Sequence, residues 1–452
     1  MSDSPRDPYS AMRHSGYRRF LTGNFLFNIG RQALSVAIAW QIYQWTNSAT
    51  ALGLVGLATV LPLIALVIPA GVLADRMDRR KILMRTSCAS AVLSLALVLF
   101  TRYPGLLPDV APLRLGNSLL RIIALHFERQ VDPASLHFDN PALPLVFLIL
   151  FLQAVVRVIG NPARAALVPL LVPPAAVSNA VTWSASSFEL STVIGPALGG
   201  FLVAAAGYTS VYLLDVAFSL ALAASLLGIR VNQPLLASVA VPDALAGMRF
   251  IWRHKAILAA ITLDLFAVLL GGAVALLPIY ADKILHVGPA GLGWLRAAPA
   301  MGAITMAFLV THLPPARRPG LTMLWTVAGF GAAIVVFAVS RHVWLSLLAL
   351  YLSGVCDNFS VVVRHSLVQM KTPDALRGRV TAVNQLFIGS SNEISELRAG
   401  LAAAWFGPVV AATAGGIGTI VVVGLVALSL PSLRSVPPLH MLTPEEDLEV
   451  ES

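Results

Sequence analysis

Twelve apolar stretches, each about twenty residues or a little longer, run along this chain, and no other feature constrains its fold as tightly. They lie at about 20–45, 50–73, 82–101, 143–163, 179–205, 208–229, 256–280, 290–311, 321–339, 342–363, 379–404 and 408–430. A helix needs roughly twenty residues to cross about 30 Å of hydrocarbon. Of the 452 residues 57% are hydrophobic and only 12% charged, against about 25% charged in ordinary soluble chains. Too few charges remain to solvate a folded surface on every side. The chain is therefore read as an all-α membrane protein with twelve transmembrane helices. Its 33 glycines and 29 prolines fall partly inside the apolar runs, where membrane helices tolerate them. The junctions at Gly207-Tyr208 and Phe406-Gly407-Pro408 are so short that the flanking helices must be antiparallel neighbours.

The net charge of +9 is spread as a topology signal. Arg6, Arg13, Arg18 and Arg19, the run from Arg76 to Arg85, Arg164, the segments 230–255, 312–320 and 364–379, and Arg434 all fall on one side. Arg102, Arg114, Arg121, Arg129, Lys283 and Arg341 fall on the other. Basic loops stay in the cytoplasm, so both termini are expected there, in a multi-pass protein of the plasma (bacterial inner) membrane. No basic groove or RNA-binding motif accompanies the charge, which argues against a nucleic-acid partner. The polar residues 1–19 precede an apolar run without a small-residue cleavage site, and read as a retained cytoplasmic N-terminus. Cys88 and Cys356 lie in apolar segments with no metal-ligand spacing, so no metal is expected.

The halves look related. At an offset of 200 residues, Arg164, Leu167, Val168 and Pro173 fall on Arg364, Leu367, Val368 and Pro373, and Gly200 falls on Gly400. Parallel six-helix repeats give this signature. The expected organisation is an N-terminal half at 20–229, a cytoplasmic linker at 230–255 with a short surface helix near 243–254, a C-terminal half at 256–430 and a tail at 431–452. A long extracytoplasmic loop at 102–142 interrupts the first half. Within it Leu115, Leu119, Ile122 and Ile123 oppose Arg121, Glu128 and Arg129, as in an interfacial helix.

After the second stretch comes Gly71-Val-Leu-Ala-Asp75-Arg76-Met-Asp78-Arg79-Arg80-Lys81. Gly71 would admit a close neighbouring helix, and Asp75 is an anion suited to a helix N-terminus or an arginine. The run resembles motif A of the major facilitator superfamily, a cytoplasmic gating motif, with Gly71, Asp75, Arg76, Arg79 and Arg80 in place. Asp78 stands where the superfamily has a second glycine. Gly195-Pro196-Ala-Leu-Gly199-Gly200 resembles the antiporter signature of the same superfamily, and that likeness favours export over uptake. Arg157-Val-Ile-Gly160 is similar to motif B, in which an arginine is linked to proton coupling, but is one residue short. The stretches Leu34–Tyr43, Ser48–Gly53, Asn161–Arg164 and Arg377–Asn384 resemble the branch containing enterobactin exporters and macrolide-efflux proteins. That branch implies twelve helices and proton-driven efflux of siderophores, antibiotics or similar amphipathic compounds. Many of its members carry an acidic residue after the first-helix glycine, where this chain has Gly30-Arg31.

Charges at bilayer depth face the bundle interior, pair or protonate. Proton antiport needs a carboxyl group that gains and loses a proton near working pH, which burial promotes. Asp264 and Glu189 are the first candidates, followed by Glu393 and Glu396, which share a helix face at i, i+3, and by Arg157. Arg31 is the candidate clamp for an anionic substrate, with Gln32, Gln41, Asn384 and Asn392 as hydrogen-bonding residues of a central cavity. Asp215 and Asp357 read as structural partners.

The expected function is proton-coupled export of a small amphipathic molecule by alternating access. It would use the proton gradient and no cofactor, with substrate, protons and lipids as partners of a monomer. The alternatives are a proton-coupled importer and, more remotely, a non-transporting receptor or scaffold. No nucleophile–base, metal-ligand or Walker pattern supports an enzyme or an ATP-driven pump.

Overall fold

The computed structural model describes residues 7–107, 110–229, 244–312 and 318–430, together with Leu433, Arg434, Val436 and Pro438. Residues 230–243 of the linker expected at 230–255, residues 1–6 and nearly all of the tail beyond 430 lie outside the described residues. Those described form fourteen helices of ten residues or more and no strand. The first half contains α1 (Ser15–Thr46), α2 (Ala49–Arg76), α3 (Arg79–Arg102), the loop helix α4 (Ala111–Phe127), α5 (Leu143–Leu167), α6 (Val177–Ala206) and α7 (Tyr208–Leu227). A short helix α8 (Ala244–Arg253) precedes the second half. That half contains α9 (Lys255–Gly271), α10 (Gly288–Val310), α11 (Pro319–Val339), α12 (Val343–Lys371), α13 (Asp374–Phe406) and α14 (Pro408–Ser429).

All but α4 and α8 coincide with the twelve apolar stretches. Ten of those twelve, α9 being counted with its continuation to Ile284, are long and apolar enough to cross a membrane. The other two carry the polar side chains, Asn24, Asn28, Arg31, Gln32 and Gln41 on α1 and Asn384, Asn392, Glu393, Glu396 and Arg398 on α13. Several helices outrun their apolar stretch. Arg164 lies inside α5 and Arg364 inside α12, where the apolar pattern alone puts a loop. The turns between α6 and α7 and between α13 and α14 use Gly207 (φ 78°) and Gly407 (φ 85°), a backbone region open to glycine at little cost.

The halves start their helices in register. Ser15 of α1 and Lys255 of α9 lie 240 residues apart, as do Arg79 of α3 and Pro319 of α11. Leu143 of α5 and Val343 of α12 lie 200 apart, as do Tyr208 of α7 and Pro408 of α14. The drop from 240 to 200 falls at the α4 loop, which has no counterpart in the brief turn between Val339 and Val343.

The core is joined at one end and divided at the other. On the face bearing the α4 loop, one cluster unites both halves, from Ala33, Ala37 and Leu52 to Leu276, Leu292 and Ala404. On the opposite face, which carries the termini, the clusters are separate. One holds Phe20, Leu83 and Leu222, a second Leu263, Met323 and Leu367, and a third Ile257, Val368 and Val380. Glycine makes the joined end possible. A Cβ on Gly400 of α13 would sit 2.4 Å from Gly53 Cα of α2, and one on Gly200 of α6 would sit 2.8 Å from Gly293 Cα of α10. Backbones that close leave no room for a side chain.

The loop reinforces this end. Leu115, Leu119 and Ile122 of α4 point outward, as an interfacial helix requires. Glu128 differs from the expected solvated face. It is buried and accepts hydrogen bonds from Ser48 Oγ (2.8 Å) and Thr50 N (3.0 Å) at the start of α2. Its neighbours reach the other half, where Arg129 N donates to Ala404 O (2.9 Å) and Gln130 Nε2 to Trp405 O (3.1 Å).

Candidate functional site

Where the halves part, they enclose a central cavity of about 290 Å³. Arg31, Gln32 and Ser35 of α1, Thr59 of α2, Arg157 of α5, Arg296 of α10, and Glu393 and Glu396 of α13 line it. Helical spacing explains the convergence. Asn24, Asn28, Arg31 and Ser35 repeat every three or four residues and form one polar stripe on α1, just as Glu393 and Glu396 share one face of α13.

Among the described residues, one ion pair crosses between the halves. Arg157 Nη2 lies 2.8 Å from Glu393 Oε1, and Thr59 Oγ1 donates to the other carboxylate oxygen of Glu393. Arg296 Nη1 donates to Ser35 O at 3.3 Å. Arg31 and Glu396 have no hydrogen-bond or ion-pair partner among the described residues. Three guanidinium groups thus meet two carboxylates, one of which is already engaged. The cavity has a free cation and a free acceptor on opposite walls.

Below it, toward the termini face, a vestibule of about 880 Å³ shares Arg31, Arg157 and Glu393 with the cavity. Asn24, Asn28, Asn161, Arg164, Ser184 and Asn392 add polar groups to its wall. Cavity and vestibule are neighbours that share these three side chains, and the joined core lies beyond them on the loop face.

The remaining sequence candidates are distributed around these two spaces. Asp264 lines neither. Its carboxylate pairs with Arg364 at 3.1 Å, and Arg364 Nη1 donates to Asn384 Oδ1 at 3.0 Å, so both Asp264 and Asn384 sit in a closed cluster inside the second half. Gln41 is also closed off, donating to Thr101 Oγ1 (3.0 Å) and accepting from the Tyr212 hydroxyl. Glu189 lines neither the cavity nor the vestibule, whereas Gln32 lines the first and Asn392 the second. Asp215 accepts from Ser94 Oγ (2.6 Å) within the first half. Arg398 donates to Leu269 O, Leu270 O and Gly272 O, satisfying carbonyls freed where α9 breaks at Gly271-Gly272.

The two motifs also find places. Gly195 and Gly199 pack against Gln32 and Ala33 of α1, Gly200 faces α10 across the joined end, and Pro196 lies between them inside α6. The Gly71–Arg80 run makes contacts with the ends of α5 and α7 in the first half. Asp75 pairs with Arg79 (3.4 Å), Arg79 reaches Ala166 O (3.2 Å), and Arg80 donates to Leu226 O and Leu227 O, each at 2.7 Å, at the end of α7. Asp78 caps α3 through the amides of Arg80 and Lys81, which gives the departure from glycine a local role. A Cβ on Gly71 would meet nothing within 4 Å. The close neighbour expected there is absent because the halves are apart on this face. Sequence reasoning missed Thr59 and Arg296 as parts of the site, and Arg164 and Asn24 as parts of its approach. The stripe on α1 was legible for Asn24, and Arg296 was visible as a charge within an apolar stretch without a role to give it, but no local pattern marked Thr59 or Arg164.

Known proteins match this architecture. The Major Facilitator Superfamily model matches residues 20–395. Enterobactin exporter EntS from Shigella boydii serotype 18 and from Escherichia coli O81 are each 26% identical to this chain over 434 residues, covering 93% of both partners. Among solved structures, a POT family transporter in complex with 5-aminolevulinic acid superimposes with a TM-score of 0.67 at 11% identity, covering 93% of this chain and 97% of that one. A D-xylose-proton symporter gives 0.64 at 13% identity, with 94% and 99% covered. A bacterial homologue of the iron transporter ferroportin in an inward-facing state gives 0.63 at 15%, with 93% and 99% covered. Matched by the family model over most of its length and built as twelve spanning helices in two halves, the chain belongs to the Major Facilitator Superfamily of membrane transporters.

Proposed function

We propose that this transporter exports a small amphipathic anion from the cytoplasm in exchange for protons, by alternating access. The observation that carries the reading is the pairing of a free guanidinium, Arg31, with a free carboxylate, Glu396, across a cavity between the two halves. An acidic group of the cargo would bind Arg31 and Arg296, where a bidentate guanidinium contact is strongest. Hydroxyl or amine donors of the same molecule would bind the Glu396 carboxylate.

The sign of coupling follows from that second contact. A proton on Glu396 cancels the charge and turns one acceptor oxygen into a donor, which weakens the contact that the cargo's donors make, so proton and cargo compete, as antiport demands. Glu393 has a different task, tying α13 to Arg157 and Thr59 while the termini face is open. The charge asymmetry supports reading that face as cytoplasmic, and the cavity would then load from inside. Similarity to enterobactin exporters and the glycine packing around Pro196 support the outward direction.

The test uses proteoliposomes loaded with 2,3-dihydroxybenzoate, which carries one carboxylate and two hydroxyl donors, or with the neutral amide of the same ring. An acid exterior should accelerate efflux of the acid and leave the amide unaffected, and Arg31→Gln should slow acid efflux about tenfold or more. Efflux of acid and amide at equal rates would remove the anion clamp. Accelerated uptake from an acid exterior would make the protein a symporter.

A further inference from the structure

The repeat register sets two polar clusters side by side. In the second half, Arg364 of α12 pairs with Asp264 of α9 and Asn384 of α13. The helix starts relate α5 to α12 by 200 residues and α1 to α9 by 240, so the counterparts in the first half are Arg164, Asn24 and Ser184. All three line the vestibule. The cation is kept, but asparagine stands where the second half has its carboxylate.

Arg164 consequently lacks a counter-ion. Its Nη1 reaches only the amide oxygen of Asn161 at 3.3 Å, its guanidinium lies over the Phe27 ring at 4.8 Å, and its Nε is buried without a partner. Asn24, 5% exposed, has an amide whose buried Oδ1 finds no partner, and the same amide turned over presents its Nδ2–H to an anion. Glu393 alone among the vestibule residues is acidic, and Arg157 already holds it. A half-buried guanidinium on a vestibule wall with no carboxylate against it is open to an anion from the vestibule.

We propose that Arg164, with Asn24 and Asn161, forms a separate anion-binding site in the vestibule, which takes the carboxylate or phosphate group of a visiting molecule. That group supplies the negative charge that Asp264 supplies to Arg364 in the other half. The site would hold an anion before it reaches Arg31. The proposal rests on the transport reading only for the idea that the visiting anion is cargo.

The experiment measures thermal unfolding of the purified full-length protein in detergent against increasing benzoate, inorganic phosphate or benzamide at constant ionic strength. Stabilisation by a ligand reports its affinity for the folded state. Benzoate is expected to raise the unfolding temperature and benzamide to leave it unchanged. A phosphate response equal to that of benzoate assigns the site to oxyanions in general, and a response to benzoate alone assigns it to carboxylates.

Asn24→Asp, nearly isosteric, supplies an internal carboxylate. It should raise the unfolding temperature without ligand and weaken benzoate at least tenfold, and Arg164→Gln should weaken benzoate similarly. Wild-type benzoate binding in both variants would overturn the site. If Arg31→Gln still abolishes acid efflux in that case, the transport reading survives the loss of this one. The converse pattern would leave a vestibule site on a protein whose central clamp is wrong.

Discussion

Arg157–Glu393 and Arg364–Asp264 are both guanidinium–carboxylate pairs between helices, at 2.8 and 3.1 Å, yet their surroundings differ. The first joins two halves, and its side chains are 29% and 16% exposed to a cavity. The second lies within one half, with 1% and 6% exposure. A pair with access to water and to spare partners can exchange them during a transport cycle. A pair sealed in a helix bundle can only hold it together. Distance does not separate function from structure here, whereas access does.

The largest effect that tests this contrast is on stability. Asp264→Asn leaves Arg364 buried without its counter-ion, which destabilises by about 3–5 kcal/mol, visible as a marked loss of thermal stability in detergent. The combined change Asp264→Leu with Arg364→Met should recover most of it. Glu393→Gln, in the wet pair, should unfold close to wild type. An Asp264→Asn protein with wild-type stability but no proton-driven efflux would erase the contrast and move the coupling site into the second half.

The next effect concerns the joined end. Gly400→Val forces a branched side chain against Gly53, and overpacking of this kind costs about 1–3 kcal/mol. Because the strain falls only on the closed loop face, the variant should populate the state open on that side. Ser35→Cys placed in this background should react faster with a membrane-impermeant maleimide added outside, and an unchanged rate would remove the seam from the gate.

The smallest effect is expected at the loop. Glu128→Gln keeps the shape but weakens the charge-assisted contacts to Ser48 and Thr50, at about 1 kcal/mol. Turnover should rise modestly, because the clasp from α2 to Ala404 and Trp405 opens more easily. Slower turnover would mean that the loop assists opening.

Much of this was legible beforehand, for identifiable reasons. Apolar length gave the twelve helices, since lipid exposure leaves Trp325 and Trp344 outside at 77% and 84% exposure and writes itself into composition. Arg31, Arg157, Glu393 and Glu396 were recognisable as costly charges, and they do meet in the cavity. Asp264 looked equally free because its sequence neighbours Leu263 and Leu265 are apolar. Its partner Arg364 lies a hundred residues away, on a helix that outruns its apolar stretch. The same overrun disguised Arg164 as a loop cation. Gln41 resembled a cavity residue until Thr101 and Tyr212 were found to close around it. Local patterns report what a residue costs to bury, and only packing reveals what it is buried with.

The most direct measurement follows protons and cargo together. In proteoliposomes carrying a pH indicator, efflux of 2,3-dihydroxybenzoate by the wild-type protein should draw protons inward. Glu396→Gln, the neutral counterpart of the protonated carboxyl, should export the same molecule more slowly, with no proton movement and no response to an imposed pH gradient. Proton influx that persists in Glu396→Gln, or protons leaving together with the cargo in the wild type, would contradict exchange at this carboxylate.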